Sequence, residues 1–118
     1  MLFSANIGFL YTDLPLPDRI RAAKRAGFDA VECHFPYDVP VAEMRAALDE
    51  TGLPMLGLNT VPGNPAAGDF GLAALPDRAE EAAAAVRQAV NPSVIVAARK
   101  ADFAIRGVLI VLVFMANK

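Results

Sequence analysis

Two stretches of this chain share one pattern, and that pattern restricts the fold more than any other feature. "RAAKRAGFDAV" (21–31) and "RAALDETGLPML" (45–56) each pass from R-A-A through a spacer to a glycine, then into an apolar run. The two glycines, Gly27 and Gly52, stand 25 residues apart. Each stretch therefore reads as the end of a helix followed by a strand, with glycine as the stop. Helices alternating with strands at this spacing build βα units on a parallel sheet. The crossovers between such strands are right-handed.

The rest of the chain fits the same alternation. "LFSANIGF" (2–9) places Phe3, Ala5, Ile7 and Phe9 at a period of two, which predicts a strand. A helix is expected over 14–27, with Pro17 in its first turn, Asp18 complementing the dipole, and Ile20, Ala23 and Ala26–Gly27 on the packed face. Residues 28–35 form the second expected strand, with Val31, Cys33 and Phe35 on one side and Glu32 and His34 on the other. A helix over 36–52 opens at Pro40 and packs Val41, Met44 and Leu48. "LPMLGLN" (53–59) is the third strand, and a helix of strong formers covers 78–90 behind a capping pair, Asp77 and Glu80. Further strands are expected in "NPSVIVAA" (91–98) and "GVLIVLVFMA" (107–116), the latter buried on both faces.

Function in parallel α/β folds gathers at the carboxyl ends of the strands. Those ends are Leu10–Asp13, Phe35–Asp38 and Asn59–Asn64. From the last of them runs "NTVPGNPAAGDFGLAALPDR" (59–78), a connection too long to be a plain turn. It is expected to serve as a lid or pocket wall. Glu32 and His34, two apart on one strand face, could pass a proton or, with ligands from further strands, bind a metal. Against that, two ligands make an incomplete site, and Glu32 could simply be hydrogen-bonded to its neighbours. Cys33 falls on the apolar side and reads as a buried structural thiol.

Composition excludes several classes. A net charge of −2 and a single Cys argue against a nucleic-acid partner and against an internal disulfide. The N-terminus lacks the pattern of a secretory signal, and the apolar run at 107–116 is too short to cross a bilayer as a helix. A cytoplasmic protein with no membrane partner is expected. Charge is uneven along the chain: residues 1–90 carry 7 basic and 12 acidic side chains, residues 91–118 carry 4 and 1.

The stretch "FSANIGFLYTDLPLPDRIRAAKRAGFDAVECHFPYDVP" resembles the start of the hydroxypyruvate isomerase family, with G-F-D-A-V-E (27–32) and F-P-Y (35–37) its most distinctive parts. "GNPAAGDFGLAALPDR" (63–78) resembles that family's G-D-x-x-A-G-x-x-G-x-x-A-x-P-x-R loop. Phe70 stands where the hydroxypyruvate isomerases carry Arg, which is closer to relatives that isomerise 2-oxo-tetronates. Asn64-Pro65 replaces the usual acidic residue, and the likeness stops at Asn91.

The resemblance implies an α/β fold: the first three to four βα units of a xylose-isomerase-like TIM barrel over residues 1–90, with 91–118 either a diverged apolar tail or the product of a frameshifted or truncated reading frame. It implies a sugar-acid isomerase that interconverts hydroxypyruvate and tartronate semialdehyde, or acts on 2-oxo-tetronates, by proton transfer through an enediolate. The complete family uses a divalent metal on later strands; no metal ligand is expected in this chain, which on this reading is inactive alone. Tyr37, Asn59, Phe70 and Arg78 are the implied contacts for a small hydroxy or oxo acid. Arg78 could instead pair with Glu81 or Asp77. The rival expectation is a non-catalytic or self-associating fragment, pairing with copies of itself through open sheet edges.

Overall fold

The computed structural model describes residues 1–90 and the backbone of 110–112. Its elements follow the order β1 (Ser4–Asn6), α1 (Leu16–Arg25), β2 (Ala30–Cys33), α2 (Val41–Thr51), β3 (Met55–Asn59), α3 (Ala79–Ala89) and β4 (Ile110–Leu112). The strands make one sheet in the order β1-β2-β3-β4, with all three pairings parallel. Ser4 pairs with Ala30 and Asn6 with Glu32. Between β2 and β3 the register shifts by a bulge at Val31/Glu32, so that Val31 meets Met55 while Glu32 meets Gly57.

The two repeats form as the sequence predicts. Gly27 and Gly52 take left-handed backbone conformations, with φ of 87° and 68°. A side chain resists that conformation, so glycine ends each helix and turns the chain back to the sheet. The core lies between the sheet and the first two helices. Ala5, Ile7, Val31, Cys33 and Met55 from the strands meet Ile20, Ala23, Met44, Ala47 and Leu48 from the helices. Burying a side chain such as Ile20 stabilises the fold by roughly 2–3 kcal/mol. Arg21 ties the helices together outside the core, pairing with Asp18 of α1 and Glu50 of α2, each at 2.8 Å.

Several expected boundaries move inward. β1 stops at Asn6 because the chain turns there: the amides of Phe9 and Leu10 both donate to the Asn6 carbonyl. Phe9 thus lies outside the strand, Phe3 lies just before its start, and both are exposed. β2 stops at Cys33, which leaves Phe35 exposed and off the core face. α2, by contrast, opens at Pro40 as expected, with Val41 its first residue, after residues 36–39 close a turn in which Val39 donates to Pro36. Ala26 and Gly27 are exposed, and the packed face of α1 is completed by Pro17 and Ala22 instead. Val41 is also exposed; Ala47 takes the buried place beside Met44 and Leu48. Asp77 does not cap α3: it sits in a 3-10 turn, Pro76–Arg78, and the helix starts without a side-chain cap. The expected strand 91–98 lies outside the described residues, as does most of 107–116. Its Ile110–Leu112 portion pairs directly with β3.

Candidate functional site

The carboxyl ends of β1, β2 and β3 carry the loops that form the rim. The first of these loops is gripped by one residue. The Arg19 guanidinium donates to the carbonyls of Leu14 (2.8 Å), Ile7 (3.1 Å) and Thr12 (3.2 Å). Its five donors in a fixed fork suit several carbonyls at once. Tyr11, with φ of 59°, turns the loop inside that grip.

Asn6 lies at the end of β1, opposite Glu32 in the register. Its Oδ1 accepts from the Gly8 amide at 3.0 Å, and its Nδ2 lies 3.2 Å from His34 Nε2. The His34 ring meets Phe9 edge-on, centroids 4.5 Å apart, and Phe35 at a tilt. Of the two residues expected to work together, Glu32 sits in β2 and His34 just beyond its end. Both are half-buried, and Asn6 adjoins both. Cys33 between them is buried as expected, and burial pushes its thiol up to about 11, against the Arg19 charge.

The end of β3 is tied to the loop after β2. The Asn59 amide donates to the His34 carbonyl at 2.8 Å, and the Asn59 carbonyl accepts from the Tyr37 hydroxyl at 2.5 Å. Asn59 and Thr60 are the buried polar residues here. Burial, with a smaller contribution from Cys33, pushes the Tyr37 phenol up to about 12, which extends the range over which it donates into alkaline pH.

The connection at 59–78 folds into three short 3-10 turns, at Pro65–Ala67, Leu72–Ala74 and Pro76–Arg78. Asp69 closes it. Its Oδ2 accepts from the Asn64 amide at 3.0 Å and from Arg78 Nη1 at 2.7 Å. Arg78 spends the other side of its fork on Glu81, with Nε at 2.9 Å and Nη2 at 2.5 Å. Glu81 and Asp69 raise the Arg78 pKa, and Arg78 holds both carboxyls below their ordinary values. Leu72 anchors the loop in the interior and its amide donates to Pro62. Phe70 stays exposed at 54%.

Sequence reasoning missed three of these residues. Arg19 and Asn6 carry no motif, although a basic residue on the first turns of a helix behind a long loop is a usable signal. Asp69 stands between glycines in a loop otherwise nearly without charge, which marks it in retrospect. Among the described residues no group of three or more His, Cys, Asp or Glu could hold a metal ion. What the rim offers is hydrogen bonding: an imidazole, a phenol, a carboxylate and an anchored guanidinium.

A parallel sheet backed by helices, with its polar groups at the strands' carboxyl ends, is an arrangement that β/α barrels share. Residues 20–94 match the model of a family described as xylose isomerase-like TIM barrel. The chain belongs to that family. It is 50% identical over 80 residues to a 2-oxo-tetronate isomerase from Pectobacterium atrosepticum, covering 68% of this chain and 30% of that protein. It is also 50% identical over 80 residues to a Danio rerio protein named "Putative hydroxypyruvate isomerase", covering 67% of this chain and 29% of the relative. The crystal structure of an AP endonuclease, family 2, from Brucella melitensis superposes with a TM-score of 0.74 at 32% identity, over 83% of this chain and 38% of that one. The chain thus spans about 30% of the length of these curated relatives.

Proposed function

We propose that this chain supplies the first wall of a sugar-acid isomerase active site. The reaction is an aldose–ketose type shift of a small oxo acid, in which a proton passes between neighbouring carbons through an enediolate. The observation that carries this reading is the 50% identity to a 2-oxo-tetronate isomerase. Phe70, an aromatic where the resembling hydroxypyruvate isomerases carry Arg, favours a 2-oxo-tetronate over hydroxypyruvate as substrate. Glu32 and His34 face the reaction from the end of β2; Tyr37 and Asn59 set the wall beside them. Arg78, held by Asp69 and Glu81, contributes to binding mainly by fixing the loop, so that its charge is reached only by a substrate carboxylate able to displace Glu81. A divalent metal belongs to this proposal for the complete barrel, but the described residues do not form a site for one, and no step here runs through it. A cytoplasmic location is part of the same reading.

The 118 residues alone are expected to show no turnover, since a closed barrel takes eight βα units. The deciding experiment is a chimera in which residues 1–90 replace the matching part of the Pectobacterium enzyme. Isomerisation of a 2-oxo-tetronate by the chimera is the expected result. A folded chimera without activity on either that substrate or hydroxypyruvate would overturn the reading. A second reading, self-association, rests on β1 forming an edge of the sheet among the described residues, with Leu2 and Phe3 exposed beside it. Sedimentation of the purified chain tests it: dimers are expected, and a monomer at micromolar concentration would exclude it.

A further inference from the structure

We propose that Asn6 is a positioning residue that holds His34 with its proton on Nδ1, making the imidazole a hydrogen-bond donor at the rim. The partners of the Asn6 amide fix its orientation. The Gly8 backbone N–H can only donate, so the Asn6 atom it meets at 3.0 Å is the carbonyl Oδ1. That fixes which way the amide points, a choice that must come from its partners. The other end, Nδ2, can also only donate, and it meets His34 Nε2 at 3.2 Å. Nε2 therefore accepts and carries no proton, which leaves the proton on Nδ1. With Nε2 engaged, His34 is neither a metal ligand nor a proton acceptor through that nitrogen.

Gly8 completes the arrangement from the other side of the ring. A Cβ there would come within 2.7 Å of His34 Nδ1 and 2.8 Å of Cγ. Only glycine fits there, so the Gly8 backbone packs directly against the ring beside the one nitrogen that still has a hydrogen to give. Phe9, edge-on at 87° to the ring, fixes its plane. The acceptor that suits Nδ1–H is a carbonyl, hydroxyl or carboxylate oxygen of a small oxo acid; that identity rests on the isomerase reading, whereas the placement of the proton does not.

His34 is the only histidine in the chain, so nitrogen NMR of the histidine-labelled protein reads one imidazole. At slightly alkaline pH the spectrum is expected to show Nδ1 protonated and Nε2 bare. A protonated Nε2 in the native protein would overturn the proposal, with no variant required. In Asn6→Asp the carboxylate accepts only, so the proton should move to Nε2; an unchanged tautomer would remove Asn6 from the role. If that variant does not fold, Asn6→Ser serves, and it should release a tautomer mixture. An unmixed Nδ1–H form in a folded Asn6→Ser would likewise count against Asn6. Added hydroxypyruvate should move the Nδ1 resonance, and failure to move it while the Nδ1–H tautomer is present overturns the donor role toward oxo acids. Activity of the chimera decides the isomerase reading separately.

Discussion

The hydroxyl of Tyr37 and the carbonyl of Asn59 meet at 2.5 Å, joining the loop after β2 to the last residue of β3. Two neighbouring rim elements are thereby held together by a side chain from one and backbone from the other. Tyr37→Phe removes the donor and leaves a carbonyl at the end of a buried strand without it. The expected loss is about 1 kcal/mol in chemical unfolding. The phenol, pushed up to about 12 from 10, makes the fold stable below pH 10 and less so as pH rises toward 12. Ultraviolet titration should show Tyr37 ionising late in the native chain and near 10 after unfolding.

Acid should open the long loop. Arg78 holds Asp69 and Glu81 below their ordinary pKa values, so their contribution is present at neutral pH and disappears as pH falls through the lowered values. Limited proteolysis between 63 and 78 should quicken below about pH 4. Asp69→Asn should show that fast cleavage already at pH 7, with α1 and α2 still protected. Equal cleavage of variant and parent at pH 7 would show that Asp69 does not close the loop.

Gly63→Ala should disturb the same loop for a steric reason. Gly63 has φ of 129°, and a Cβ there would lie 2.6 Å from Asp69 Oδ2 and 2.9 Å from the Asp69 carbonyl. The strained backbone alone costs roughly 1–3 kcal/mol. Hydrogen exchange should quicken at Asn64, Asp69 and Leu72, whose amides the closed loop engages. Unchanged protection at these three would contradict the account.

Arg19→Met retains much of the aliphatic stem and deletes three hydrogen bonds to the β1–α1 loop. A loss of about 2 kcal/mol is expected, since bonds from a charged donor are worth more than neutral ones. Arg19→Lys should recover only part of it, because one ammonium cannot copy the fork. Denaturant unfolding of the two variants supplies the comparison.

Cys33 should be slow toward thiol reagents. It is 3% exposed and its thiol is pushed up to about 11. At pH 8 a disulfide reagent should label it only after urea is added, and rapid labelling of the native chain would place the thiol outside the core.

The βα alternation was legible because its signals are local: a helix face, a glycine stop, an apolar run. Packing was legible where alternation and burial agree, as at Ala5, Ile7, Val31 and Cys33. It failed at Phe3, Phe9 and Phe35, since a period of two tells which side a residue takes but not where a turn cuts the strand short. Arg78 shows the same limit in the site. Its pairing with Glu81, three residues on, follows from helical spacing. Its pairing with Asp69 depends on a loop fold set by Gly63, Gly68 and Gly71, which no short-range pattern reveals.

The reach of Arg19 also bears on the order in which this chain assembles. All three of its acceptors lie within a dozen residues before it, so the first rim loop closes over a short stretch at small entropic cost. The pairing of Gly57 with Ile110 closes across nearly half the chain. A nascent polypeptide can therefore shape its first rim loop while the strand that borders β3 is still being synthesised.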